Sequence, residues 1–439
     1  MLTRYARPEM AAIWSRQEQL RIWFRIEAHA VSAQANLGRV CPSIAQKLWD
    51  GEPDRFDEDR IAAIETDVRH ESIAFQTYIL ECVDPAVHPY FHHGLTSSDV
   101  LDTAFSLQLV RAGDLLLSGL HRLADRLAAV ARRHQHTLCI GRSHGVHAEP
   151  ISFGLKMLRA YSECRRNIAR LENARSEVAV GKLSGSVGSY TCIDPRIESY
   201  VCQQLGLAIE PIASQIVPRD RHAQFFATLA LVASCLERLA SELRFLQVTE
   251  ISEVAEGFGR RQKGSSAMPH KKNPILSENI TGLARAVRGY LMPALENIAL
   301  WQERDMSHSS VERFSGPDAT ITLDYALHRM AGIIDDLVID GNRMLKNIKL
   351  SHGAWGSQKI FLALLAKGLE HDIAYRIVQN AAFGSSPSTH DPTTQPDFAA
   401  RLLADPQARD WLTANEITKL TSPDAYLSHV NMIFDRVLG

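Results

Sequence analysis

Long hydrophobic runs are missing from this 439-residue chain. No stretch of about 18 apolar residues stands unbroken, so no transmembrane helix is expected. Net charge is nearly missing too: 48 Lys and Arg stand against 50 Asp and Glu, a formal −2 with the 18 His counted as neutral. Such a chain has no global field to hold nucleic acid or an anionic membrane, and neither is expected as a partner. Cysteine pairing is missing as a pattern. The seven (Cys41, Cys82, Cys139, Cys164, Cys192, Cys202 and Cys235) are odd in number and form no C-x-x-C pair. They read as reduced, buried thiols of a cytosolic protein. Met1 to Glu9 carries Arg4, Arg7, Pro8 and Glu9 in place of an apolar core, so no signal peptide is expected. Strand signals are equally scarce, with few alternating β-branched runs and no Asn-Gly hairpin.

What is present is helical periodicity. The hydrophobic share of 45% is too high for a disordered chain. Phe225, Leu229, Val232, Leu236, Leu239, Leu243 and Leu246 follow at alternating steps of 4 and 3, a heptad seam. Leu116 to Val130, Met157 to Leu171 and Leu323 to Leu337 repeat the spacing. A further helix is expected from Ser277 toward Leu291, stopped or kinked by Pro293. The fold class expected is all-α: an elongated long-helix bundle with smaller helical N- and C-terminal domains, cut at 1–98, 99–350 and 351–439. Several helices are apolar over more than one face, as at Phe225-Phe226 and Leu229 to Val232. Burial on several sides suggests a homo-oligomer. The Ser/Thr/Pro-rich stretch from Gly384 to Pro396 reads as a mobile loop.

Four polar segments interrupt the helices. Gly264 to Pro274 (GSSAMPHKKNP) is a loop with small hydroxyls and a Lys271/Asn273 pair, suited to an oxyanion or carboxylate. Glu278 follows at the start of the next helix. Gly141 to Pro150 places His144 and His147 beside Gly145, just before a helix expected from Ile151. A helix N-terminus there would favour an anion. A metal is not expected, because no second ligand pair follows at a recognised spacing. His92 to Asp99 offers Thr96, Ser97 and Ser98 as a hydroxyl cradle, with Ser97 or Ser98 alternatively capping a helix that begins near Val100. The fourth is scattered: Arg4-Tyr5, Arg69-His70-Glu71 and Arg304 to Arg313. Separated arginines with Ser309 could gather on a phosphate.

Gly264 to Pro274 matches the pattern G-S-S-x-M-P-x-K-x-N-P, and on that segment the chain resembles the fumarase/aspartase superfamily. Within it, the similarity is strongest to the branch that acts on succinylated purine nucleotides. It runs from Arg4-Tyr5 through Arg69-His70, Leu95 to Asp99, Gly141 to Pro150, Gln215, Arg219 to His222 and Arg304 to Arg313, and weakens after about residue 370. The resemblance implies an all-α homotetramer, each active site assembled from three subunits, with no metal or organic cofactor. It implies anti β-elimination releasing fumarate, from adenylosuccinate to give AMP and from succinylaminoimidazole carboxamide ribotide. It assigns Ser265 as general base, with Ser266 beside it as a substrate-binding residue, and His144 as general acid with Glu278 as its carboxylate partner. Lys271 and Asn273, with Thr96 and Ser97, would stabilise the aci-carboxylate. Arg69, His70, Glu71 and Gln215 match substrate-contacting positions, and Arg4, Tyr5, Arg304, Ser309 and Arg313 a nucleotide-phosphate site. Two alternatives stand beside this: another fumarate-releasing lyase or cycloisomerase on the same scaffold, or a non-catalytic helical structural protein.

Overall fold

The structure, a computed structural model, describes residues 3–383 and 397–439. The loop expected at 384–396 lies outside the described residues. Helices α1 (Pro8–Ile13), α2 (Arg16–Asn36), α3 (Pro42–Asp50), α4 (Glu58–Val68) and α5 (Glu71–Cys82) precede the long α6 (Ser97–Arg133). A hairpin of β1 (Leu138–Ser143) and β2 (Val146–Ser152) leads into α7 (Phe153–Glu177). Next come β3 (Val180–Gly181), α8 (Pro195–Leu205), β4 (Ala208–Ile209), α9 (Arg219–Leu246) and β5 (Val254–Ala255). After these run α10 (Ile275–Gly289), α11 (Leu291–Glu296), α12 (Ser307–Asp335), β6 (Val338–Ile339) and α13 (Gly341–Lys349). The last stretch holds α14 (Ser357–Ala366), α15 (His371–Phe383), α16 (Phe398–Ala404), α17 (Pro406–Arg409), α18 (Ala414–Leu420) and α19 (Val430–Leu438). The fold is all-α, as the periodicity predicts. Among the described residues stand three small two-stranded sheets that the sequence does not announce: antiparallel β1-β2 and β5-β6, and parallel β3-β4.

The chain forms two compact units. The first comprises residues 1–121, 166–237 and 280–329; the second comprises 122–165, 238–279 and 330–439. The predicted seams are core. All seven seam residues of α9 are at most 2% exposed. In α6, Leu116, Leu120, Leu123, Leu127 and Val130 are buried. The α12 seam is buried from Leu323 to Ile334, but its last member, Leu337, falls beyond the helix end and is half-buried. The most apolar window of α9 is long and apolar enough to cross a membrane by composition, and 67% of it is buried inside the protein. A buried core helix has that composition for its own reason.

In the first unit, Trp23 and Phe75 meet edge to face at 5.4 Å between α2 and α5. Ser15 starts α2 by accepting the Glu18 N–H, the Ser-x-x-Glu signature of a helix start. In the second, Ile360, Leu364, Ile377, Phe398, Leu402 and Ile417 form a C-terminal core. The helix expected from Ser277 is α10, which ends at Gly289; Pro293 lies inside the short α11 that follows. The cysteines divide: Cys139, Cys164, Cys202 and Cys235 are buried as expected, whereas Cys41, Cys82 and Cys192 are exposed.

Candidate active site

In the second unit, the segment from Gly264 to Pro274 has no regular structure and folds back on itself. The Ser265 N–H donates to the Lys271 carbonyl at 3.1 Å, and the Lys271 N–H to the Met268 carbonyl at 2.9 Å. Ser265 Oγ accepts the Ala267 N–H at 3.4 Å. Gly264 is required by close approach: a Cβ there would stand 2.2 Å from the Pro269 carbonyl oxygen. Lys271 and Asn273 line a cavity of about 640 Å³ together with Arg244, His270 and Lys272. Ser266 is exposed. Gln247, just past α9, holds the loop, donating to the Lys272 carbonyl at 3.1 Å and accepting the Glu256 N–H at 2.9 Å. The Glu256 carboxylate in turn accepts the Leu276 and Ser277 N–H groups at 3.1 and 2.7 Å. It thereby satisfies the open amides at the start of α10 and orients the turn that bears Glu278.

His144 is not at a helix N-terminus. It forms, with Gly145, the two-residue turn between β1 and β2, and α7 begins only at Phe153. Both turn residues have positive φ, 54° and 78°, the geometry that matches hairpin twist. The hairpin is anchored by Arg142, whose guanidinium reaches the buried Glu253 carboxylate at 2.7 and 3.2 Å. His144 itself is exposed, as is Glu278, and the two side chains do not hydrogen-bond to each other within the chain. His147 instead meets Ser351 Oγ at 3.2 Å. Burial, then the Arg142 charge, lowers its pKa.

In the first unit, Glu71, Arg304, Ser309 and Arg313 line one cavity of about 260 Å³. Arg304 donates to Gln215 Oε1 at 3.1 Å and to His308 Nε2 at 3.3 Å. Glu71 is ion-paired with Arg313 and, at 2.8 Å, with Arg16. Burial works against the Glu71 charge, but Arg313 and Arg16 outweigh it and hold the carboxyl below its usual range. The structure does not bring Arg4 and Tyr5 into that cavity's lining: Arg4 is exposed, and the Tyr5 ring packs on Tyr325 at 5.3 Å. Arg69 ends α4 in the left-handed region (φ 53°), and His70 starts α5, its Nδ1 accepting the Ile73 N–H at 3.4 Å.

Neither Ser97 nor Ser98 caps α6. The helix begins at Ser97, and Thr96 is the cap residue: its N–H donates to Asp99 Oδ2 at 2.8 Å while its carbonyl accepts the Asp99 N–H at 2.9 Å. Sequence reasoning assigned no role to the buried groups behind these residues. Arg219 donates to both Asp102 oxygens at 2.6 and 3.0 Å and to both Glu312 oxygens at 2.8 and 3.1 Å, and meets His308 Nδ1 at 3.1 Å. The Asp102 carboxyl is held at about 2: burial opposes its charge, and Arg219 outweighs burial. The only local signal was four polar residues, Arg219 to His222, opening an apolar helix. His222 has neither ring nitrogen hydrogen-bonded, and its ring packs edge-on to Phe105 at 5.3 Å. Burial, then the Arg219 charge, pushes it down to about 4.

This all-α scaffold and its polar loop define a class. A fumarate lyase from Mesorhizobium sp. BNC1 superposes with a TM-score of 0.89 at 25% identity, covering 100% of this chain and 99% of that one. A 3-carboxy-cis,cis-muconate lactonizing enzyme from Pseudomonas putida superposes at 0.87 with 26% identity, covering 99% and 96%. Residues 3–289 match a family model described as lyase, and 353–437 one described as adenylosuccinate lyase C-terminus. An adenylosuccinate lyase of Thermotoga maritima is 44% identical over 436 residues, 99% of each chain. One of Streptococcus mutans is 43% identical over 437 residues, 100% of this chain and 99% of that one. The chain belongs to the adenylosuccinate lyase family.

Proposed function

We propose that the protein cleaves adenylosuccinate to AMP and fumarate, and succinylaminoimidazole carboxamide ribotide to its carboxamide and fumarate, by anti β-elimination. The observation that carries the choice of substrate is the cavity where Arg304, Ser309 and Arg313 converge. Two guanidinium forks and a hydroxyl suit a phosphate, which a phosphate-free acid would not need. This reading assigns Arg4 and Tyr5 to the same phosphate site, although within one chain they lie outside that cavity's lining.

Ser265 removes the proton from the carbon next to the succinyl carboxylate. The Ala267 N–H on its Oγ favours the alkoxide, and in this reading the Lys271 charge adds to it. Charge then builds on the carboxylate as an aci-carboxylate, held by Lys271, Asn273, Thr96 and Ser97. The C–N bond breaks, and His144, kept protonated by Glu278, donates its proton to the leaving nitrogen. Arg69, His70, Glu71 and Gln215 hold the substrate. No cofactor takes part. The working form is a homotetramer with sites shared between subunits. Two features support that: His144 and Glu278 are exposed without partnering each other, and Met292, Trp301, Met306 and Phe314 are all at least 60% exposed. The reading keeps the division at 98 and 350, which the second family match, beginning at 353, supports. It also keeps a cytoplasmic location.

The test is the absorbance of purified protein mixed with adenylosuccinate. Loss of the succinyl-purine band with matching fumarate is expected. No change there, with fumarate released from another amino-acid adduct, would replace this reading with another lyase of the superfamily.

A further inference from the structure

Asp99 and Lys182 form an ion pair in the first unit with both side chains wholly buried, Nζ to Oδ1 2.6 Å. Such a pair adds little net stability, because desolvation offsets its attraction, and apolar residues of similar volume would serve as well. What distinguishes it is how many chain segments it joins. Asp99 Oδ1 also accepts the Ser184 and Gly185 N–H groups at 3.2 Å each, and Oδ2 accepts the Thr96 N–H. The Lys182 ammonium spends its remaining donors on the Gly185 and Gln215 carbonyls, at 2.8 Å each. Three separate stretches thus meet on two side chains: the start of α6, the loop after β3, and the irregular approach to α9. Two of them carry Thr96 and Gln215.

The loop is also fixed from its far side. Glu198, buried, accepts the Leu183 N–H at 2.7 Å and the Tyr190 hydroxyl at 2.5 Å. Gly188 has φ 78°, and a Cβ there would stand 2.1 Å from the Ala213 carbonyl oxygen. Thr96, Ser184, Gly185, Ser186, Ser189 and Thr191 line a cavity of about 250 Å³. No charged side chain lines it. Ser184 is 2% exposed, and its Oγ has no hydrogen-bond partner.

We propose that the Asp99–Lys182 pair positions the succinyl end of the substrate site, setting the Thr96 cap and the Gln215 backbone to one another. Lys182 is then a positioning residue, not a catalytic one. An apolar pair could fill the same volume but would leave the Thr96 N–H and the Gln215 carbonyl undirected. The proposal rests on the reading of Thr96 and Gln215 as substrate contacts.

The double variant Asp99→Asn/Lys182→Met removes both charges together, so no buried charge is left unpaired; circular dichroism and gel filtration check that it folds. Its KM for adenylosuccinate and its inhibition constant for fumarate should rise about tenfold, while that for AMP, which the pair reaches only through the Gln215–Arg304 bond, rises by less than about threefold. A folded double variant with wild-type fumarate inhibition overturns the proposal, and so does equal weakening toward fumarate and AMP, which is general loosening. If the double variant does not fold, Lys182→Arg decides. It keeps a cation beside Asp99, but a planar guanidinium cannot repeat the three bonds of the ammonium, so the same selective loss is expected. Wild-type fumarate inhibition in that variant overturns the proposal. Wild-type protein inert toward adenylosuccinate refutes the functional reading and this proposal together; an active wild type with an unaffected variant refutes the positioning alone.

Discussion

The two units support their candidate site residues in different ways. In the first, the buried cations behind them are saturated: Lys182 with Asp99, and Arg219 with Asp102 and Glu312, each guanidinium or ammonium committed to several partners. In the second, Lys271, Glu278 and His144 are exposed, and Ser265 sits in a loop without regular structure. The difference teaches where precision is kept. The residues proposed for recognition, such as Arg304 and Gln215, rest on a buried network that cannot rearrange without stranding a charge. The residues proposed for proton transfer sit on a hairpin tip and a loop, with their supports one step behind, in Glu253 under the hairpin and Glu256 and Gln247 under the loop. Elements carrying chemistry often have to move when substrate binds, and such elements come from the less stable parts of a fold.

The comparison is broken most severely by Ser265→Ala. Loss of a general base costs about 10²–10⁴ in rate, so kcat for fumarate formation should fall by that order while AMP still competes for binding. An active Ser265→Ala enzyme would remove the base assignment and the division of labour with it. A smaller effect, of the other kind, is expected from Arg304→Ala and Arg313→Ala. Each charge-assisted hydrogen bond is worth about 1.5–3 kcal/mol, so KM should rise about tenfold or more with kcat much less affected. Steady-state kinetics with unchanged KM in both variants would leave the phosphate site without support.

The smallest effect is a slope with pH. His222 titrates near 4 in the folded protein, below its ordinary 6.5, so the unfolded chain takes up a proton first as pH falls. Stability is therefore whole above about pH 6.5 and is lost toward pH 4, by at most about 1.4 kcal/mol per pH unit. His222→Leu should flatten thermal unfolding against pH over that window. An unchanged slope would show that His222 is not the titrating group.

Much of this was legible in the chain. The heptad steps of α6, α7, α9 and α12 reported core positions at all but Tyr161 and Leu337, because the 3.6-residue turn puts every third or fourth residue on one face. The β1-β2 hairpin was missed because its turn is His144-Gly145 and the familiar marker is Asn-Gly. Histidine also tolerates the left-handed region, so the same geometry was available without the marker. The strands β3 to β6, two residues each, are too short for any alternation to show. Thr96 was passed over as a cap in favour of the serines beside it, because three consecutive hydroxyls give equal local evidence.

The sequence by itself determined the helical class, the buried seams and the loop from Gly264 to Pro274, since each is written in residues adjacent along the chain or one helical turn apart. Only the tertiary structure decided which polar residues are paired. Asp99 lies 83 residues from Lys182, and Asp102 lies 117 from Arg219. No local pattern links them. A buried charge must find a partner wherever packing brings one within reach, and packing is a property of the whole fold.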